Sequence, residues 1–278
     1  MEKIKVITDS TCDLPIEVIE KYNIEVVPVL INFGDESYLD GIEITRDQVF
    51  ERIEKGDIFP TTAQITPVRF VEIFKNAIAD GSKVLVILMS SEMSGTYQSA
   101  NLAKNMLESE DIYIVDSQKI CSALGLLVIR ASKLINAGMS INDIMIDLEE
   151  TKNKIITSLS FDSLDNLVKG GRILKAVGVV TGILGIKLIL DMKEGVMSVK
   201  DKVRGSKKAL KRILSDLENL GHNNDLPVLL VNLDMEEISQ PIRDHLNKNK
   251  IEYIECPVGS SVGIHSGNKV SGIFFAKK

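Results

Sequence analysis

The chain has 278 residues, of which 44% are hydrophobic and 26% charged, a balance that suits a soluble globular protein with a sizeable core. Its 33 Lys+Arg against 39 Asp+Glu leave a formal charge of −6, which argues against a generally basic nucleic-acid binder. The three cysteines, Cys12, Cys121 and Cys256, are odd in number and too widely spaced for a disulfide framework or a zinc site, so a reducing cytoplasm is the expected compartment.

No segment reads as an export signal or a membrane span. The longest apolar stretch, residues 176–186, carries Gly178, Gly182 and Gly185 and stops at Lys187, short of the roughly 20 apolar residues a spanning helix needs. In chain order, residues 3–8 are a short β-rich run and 14–22 a helix with Pro15 in its first turn. Residues 24–31 read as extended. Thr45 and Gln48 have capping-box spacing at the start of a helix over 45–54, where each side chain satisfies a free backbone N–H. A nearly all-apolar strand at 83–89 precedes a helix at 95–107, a strand at 112–115 and a helix at 120–137 closed by Gly138. Apolar strands without alternation, separated by helices, predict a parallel sheet covered on both faces.

The second half has a different grain. Residues 155–161 read as a strand and 172–184 as a Gly-containing helix. Strands at 187–192 and 196–200 flank Lys193-Glu194-Gly195, a hairpin turn. Leu210, Ile213, Leu214 and Leu217 share one face of a helix at 206–220, the 3.6-residue period of an amphipathic helix. Strands at 227–233, 251–256 and 271–276 follow, with a helix at 236–249. The expected fold class is therefore α/β, with an N-terminal parallel-sheet domain over residues 1–157 and a C-terminal α+β domain over 158–278.

Three strands of the first half end in small polar residues: Thr8-Asp9-Ser10, Ser90-Ser91 and Asp116-Ser117. In open parallel sheets, ligands bind outside such carboxyl ends. Ser94-Gly95 lies where the middle tip enters a helix. Ser94 reads either as a plain N-cap or as part of an anion site that uses the free N–H groups of the helix start. Pro60-Thr61-Thr62-Ala63-Gln64 places two hydroxyls in a turn, and Lys169-Gly170-Gly171-Arg172 sets a guanidinium at a glycine pair opening a helix. His222 and His245 sit in charged, polar surroundings, whereas His265 lies in the Gly/Ser-rich loop 259–267. That loop contains Gly259-Ser260-Ser261-Val262-Gly263, but a nucleophile elbow needs a helix immediately afterwards, and the composition of 264–271 argues against one. Asp9, Asp13 and Asp116 suit turn capping better than a metal site.

These segments, in this order, resemble the DegV family of bacterial fatty-acid-binding proteins, which includes the FakB-type binding subunits of fatty-acid kinase. The likeness runs from Thr8-Asp9-Ser10-Thr11 through Pro60-Thr61-Thr62-Ala63-Gln64, Ser94-Gly95-Thr96-Tyr97-Gln98-Ser99-Ala100 and Lys169-Gly170-Gly171-Arg172-Ile173 to Gly263-x-His265-x-Gly267. It implies one long-chain fatty acid buried between two domains. By resemblance its carboxylate is met by Thr61 (with Thr62 adjacent), Ser94, Gly95 and His265, with Arg172 nearby. It further implies a carrier that is not itself an enzyme and needs no cofactor, and that presents the acid to a separate kinase which forms an acyl phosphate.

Two segments depart from the family pattern. PTTSQP reads Pro60-Thr61-Thr62-Ala63-Gln64-Ile65, and GPVIGTHTGPG reads as residues 259–269 with Ser260, Asn268 and Lys269 at altered positions. From Lys193 to Arg212 there are eight basic and two acidic residues, which read as a solvated face or as a docking patch for an acidic kinase or an anionic membrane surface. Arg204 is the position the resemblance marks for kinase contact. The alternative function is an acyl-ester hydrolase using Ser94 or Ser261 with His265.

Overall fold

The computed structural model describes residues 2–173 and 185–278. In chain order the first half runs β1 (Ile4–Asp9), α1 (Ile16–Tyr22), β2 (Ile24–Val27), β3 (Leu30–Phe33), β4 (Glu36–Leu39), α2 (Arg46–Glu54), β5 (Thr61–Ala63) and α3 (Pro67–Ile78). It continues through β6 (Lys83–Leu88), α4 (Thr96–Leu107), β7 (Ile112–Asp116), α5 (Ser122–Asn136) and α6 (Ile141–Lys152). The second half has β8 (Ile155–Phe161), α7 (Asp165–Gly170), β9 (Ile186–Lys193), β10 (Val196–Arg204) and α8 (Ser206–Leu220). It closes with β11 (Val228–Leu233), α9 (Glu236–Lys248), β12 (Tyr253–Cys256), α10 (Ser260–Ser266) and β13 (Val270–Ala276).

The first sheet is parallel, in the order β2-β1-β6-β7. The unalternating apolar run of β6 follows from its two covered faces. Val84, Val86 and Leu88 pack with Phe70 and Phe74 of α3 and Ala100 and Ala103 of α4. Leu85 and Ile87 turn the other way, into the cluster that holds α5. Helix α5 is buried on nearly every side because that cluster also contains Leu159, Val231 and Phe274 of the second sheet. It is the shared layer between the two halves.

The second sheet is mixed, in the order β10-β9-β8-β13-β11-β12, with β11 and β12 paired in parallel and the other neighbouring strands antiparallel. Its face away from α5 is covered by α8 and α9 through Ile213, Leu217, Ile238 and Ile242. The expected hairpin forms with Lys193 paired to Val196. Glu194 and Gly195 between them have φ of 51° and 77°, the two positive values of a type I′ turn. Thr45 and Gln48 make both halves of the expected capping box.

Several elements differ from expectation. The extended run over 24–31 is two strands in different sheets, because Pro28 cannot donate to a ladder and the chain leaves β2 there to enter a small antiparallel sheet, β4-β3-β5. The Pro60–Gln64 turn contains strand β5 of that sheet. Gly170 and Gly171 end α7 rather than open a helix, since Gly171 takes the left-handed conformation at φ 69°, which glycine adopts without penalty. Most of the helix expected over 172–184 lies outside the described residues. Residues 260–266, expected as a loop, are α10. The expected division at residue 157 runs through β8, which begins at Ile155. Among the described residues no helix is long and apolar enough to cross a membrane.

Candidate functional site

A cavity of about 380 Å³ lies where the tips of the first sheet face the second. Its body is apolar, walled by Met89, Met93, Phe161, Met197 and Phe274 among others, and Thr62, Gln64, Ser94, Gly95, Arg172 and His265 give it polar lining. The two threonines of β5 are placed differently. Thr62 and Ala63 line the cavity, whereas Thr61, one step earlier on the strand, is exposed and outside the lining.

The Thr62 hydroxyl lies 3.0 Å from Nε2 of His265. His265 sits in the last turn of α10, and its ring lies so close to Gly170 that a Cβ there would collide with Nδ1 and come 2.9 Å from Cε1. Burial, with the Arg172 guanidinium nearby, pushes the imidazole down to about 4. The ring is therefore neutral at pH 7, with one nitrogen donating and the other accepting. Arg172 spans the junction, donating from Nε to the Met93 carbonyl at 3.2 Å and from a terminal nitrogen to the Gly170 carbonyl.

Helix α4 begins at Thr96 with Gly95 as N-cap, one residue beyond the expected Ser94 cap. The Ser94 hydroxyl instead accepts from the Thr96 N–H at 3.3 Å and lies 3.0 Å from the Thr96 hydroxyl, a local serine turn of the kind that competes with capping. At Gly95 a Cβ would collide with the Gln64 amide, whose Nε2 donates to Ser99 Oγ at 3.0 Å. Nothing in the sequence singles out Gln64 within Pro60–Gln64; its inward direction just after β5 is what brings it into the lining. Ser261 also lines the cavity, four residues before His265 and so on the same side of α10.

The other polar tips serve their own turns. Asp9 accepts from the N–H groups of Thr11 at 3.0 Å and Met89 at 2.8 Å, and Asp116 accepts from Ser91 and Gln118. Among the described residues no group of three His, Cys, Asp or Glu is placed to hold a metal ion. Arg204 ends β10 as an exposed residue outside the cavity. Within the basic run, Lys200 and Arg212 both pair with Asp216.

A family model described as that of the uncharacterised DegV family matches residues 3–278. The chain belongs to the DegV family. A DegV domain-containing protein of Clostridium perfringens is 49% identical over 278 residues, all of both chains. Protein DegV of Bacillus subtilis is 30% identical over 279 residues, 99% of each. Among solved structures, a DegV-family protein from Thermus thermophilus, described for its fatty acid binding, superposes with a TM-score of 0.89 at 28% identity over 99% of this chain and 100% of its own. The structure of DegV from Bacillus subtilis, described as a fatty acid binding protein, gives 0.86 at 30% identity over 100% of both chains. The mixed α/β architecture of this DegV protein, a parallel four-stranded sheet beside a separate mixed one, is the fold of those structures.

Proposed function

We propose that this DegV protein binds one long-chain fatty acid in the cavity between its sheets, with the carboxylate at Thr62, Ser94, Gly95, Arg172 and His265. The observation that carries this reading is the cavity's division into an apolar body and a polar group built around the Thr62–His265 contact. Each buried methylene contributes about 0.8 kcal/mol, whereas an unsatisfied carboxylate would forfeit much of that gain. The polar group answers that cost. The fatty acid binding described for the Thermus and Bacillus relatives supports the same reading.

The protein acts in this reading as a carrier in the cytoplasm, where its three buried free thiols fit a reducing environment. It hands the carboxylate to a separate kinase that forms the acyl phosphate, with Arg204 at the contact and the exposed Lys207, Lys208 and Lys211 available to an acidic partner or an anionic membrane surface. The hydrolase alternative has less support: Ser94 is bonded to Thr96 and the His265 Nε2 faces Thr62.

Organic extraction and mass spectrometry of the purified protein test the binding. A stoichiometric fatty acid is expected. A protein that is empty and also fails to take up palmitate or oleate overturns the reading, and turnover of a chromogenic ester lost on Ser94 or Ser261 substitution would favour the hydrolase.

A further inference from the structure

Two acids outside the cavity lining reach the amide end of α10. Asp13 leaves the turn after β1 in the left-handed conformation, φ 49°, and its Oδ1 accepts the Gly259 N–H at 3.0 Å. A Cβ on Gly259 would lie 2.7 Å from that same oxygen, so this approach requires glycine. Asp40, between β4 and α2, accepts from the Ser10 hydroxyl at 2.9 Å. It also interacts with the Ser260 hydroxyl and the backbone N–H groups of Ser260 and Ser261.

Both carboxyls belong to the first half of the chain, and α10 belongs to the second. The helix has seven residues, too few for its own hydrogen bonds to hold it. Its far side is fixed by packing, with Ile264 buried among Ile31, Phe33, Ile44 and Val49. Its first turn is fixed by the two acids. The remaining side carries Ser261, Val262, His265 and Ser266 into the cavity.

We propose that Asp13 and Asp40 are positioning residues for the polar group of the cavity: they seat the first turn of α10 on the first half of the molecule and thereby set where His265 projects. Burial pushes both carboxyls up, while hydrogen bonding from the α10 amides pulls back towards the charged form. The Asp13 carboxyl also interacts with the Cys121 thiol just ahead of α5. Ser10, Asp13 and Asp40 thus align a histidine they do not touch.

The proposal rests on the fatty-acid reading for its affinity test but not for its spectroscopic one. Palmitate affinity is measured for Asp40→Ala, His265→Ala and the double variant, with Asp40→Asn as the conservative control. Asp40→Ala is expected to weaken binding about fivefold with His265 present and less than about twofold without it, the non-additivity of residues that act through one another. Asp40→Asn keeps an acceptor and should recover most of the loss. Equal losses in both backgrounds would overturn the proposal.

In the ligand-free protein, the ¹⁵N imidazole resonances of His265 should move in Asp40→Ala and return in Asp40→Asn; unmoved resonances would also overturn it. Should wild-type protein take up no palmitate, the lipid reading fails and the resonances still decide the positioning. If Asp40→Ala does not fold, Ser10→Ala removes the hydroxyl that orients Asp40 and is read in the same two ways.

Discussion

The Thr62 hydroxyl and the His265 imidazole are 3.0 Å apart and 203 positions apart in the chain. One comes from a three-residue strand of the small antiparallel sheet and the other from a helix lodged between the two halves. Their contact joins the halves at the polar group of the cavity.

That contact separates two adjacent threonines. Thr62→Val removes a hydroxyl that faces the cavity and is expected to weaken fatty-acid binding by about two- to tenfold, the value of one net hydrogen bond. Thr61→Val alters an exposed side chain outside the lining and should leave affinity within about twofold, the scale of a near-neutral surface change. Titration calorimetry with palmitate distinguishes the two, and a larger loss at Thr61 would reverse the assignment.

Gly170 offers a test in which stability and binding move separately. It ends α7 at an ordinary helical position, so alanine suits the backbone there, but its Cβ would crowd the His265 ring, 2.9 Å from Cε1. Gly170→Ala should therefore lower ligand affinity while changing the melting temperature little. A normal affinity would mean the imidazole can shift without consequence.

His265 carries a pH dependence of definite sign. Its imidazole is pushed down to about 4 in the folded protein from 6.5. Between those values the unfolded chain binds a proton that the folded chain does not, so its contribution to stability falls as pH falls through that window. The buried Asp9 and Asp13, both pushed up, act in the opposite sense, so total stability is a poor readout. The difference between wild type and His265→Gln isolates the histidine. Wild type should lose up to about 3 kcal/mol relative to the variant on acidification from pH 7 to 4, since each tenfold difference in proton affinity between the folded and unfolded chain is worth about 1.4 kcal/mol. Denaturant melts across that range check it, and a flat difference would show an imidazole titrating as in water.

Gly272 sits in β13 so close to β8 that a Cβ would collide with the Ser158 carbonyl and lie 2.8 Å from Leu159 Cα. Backbone cannot yield as a side chain can. Gly272→Ala should cost about 1–3 kcal/mol and lower the melting temperature by about 2–10 °C, measured by calorimetry.

Arg204→Ala addresses the partner. In the proposed carrier reading the variant keeps its lipid, because Arg204 is exposed at the end of β10 and outside the cavity lining, and loses acyl-phosphate formation when mixed with a fatty-acid kinase. Undiminished phosphorylation would remove Arg204 from the contact.

What is local was legible in the residues alone. The unalternating apolar run of β6 announced a sheet covered on both faces, Thr45 and Gln48 announced their capping box, and Lys193-Glu194-Gly195 announced its hairpin, because hydrophobic period and turn chemistry act over a few residues. The ordered set of short motifs was enough to mark the family and to nominate Ser94, Gly95, Arg172 and His265, all of which line the cavity.

The rest depends on contacts between segments far apart in the chain. Nothing local distinguishes Thr61 from Thr62; the pairing of β5 with β3 does, since a one-residue change of register would exchange their faces. Helix α10 was illegible because its seven residues, three of them serine and one glycine, have little helical preference of their own. Their hold comes from Ile264 in a distant apolar cluster and from Asp13 and Asp40, contacts that exist only once the two halves of the chain have met.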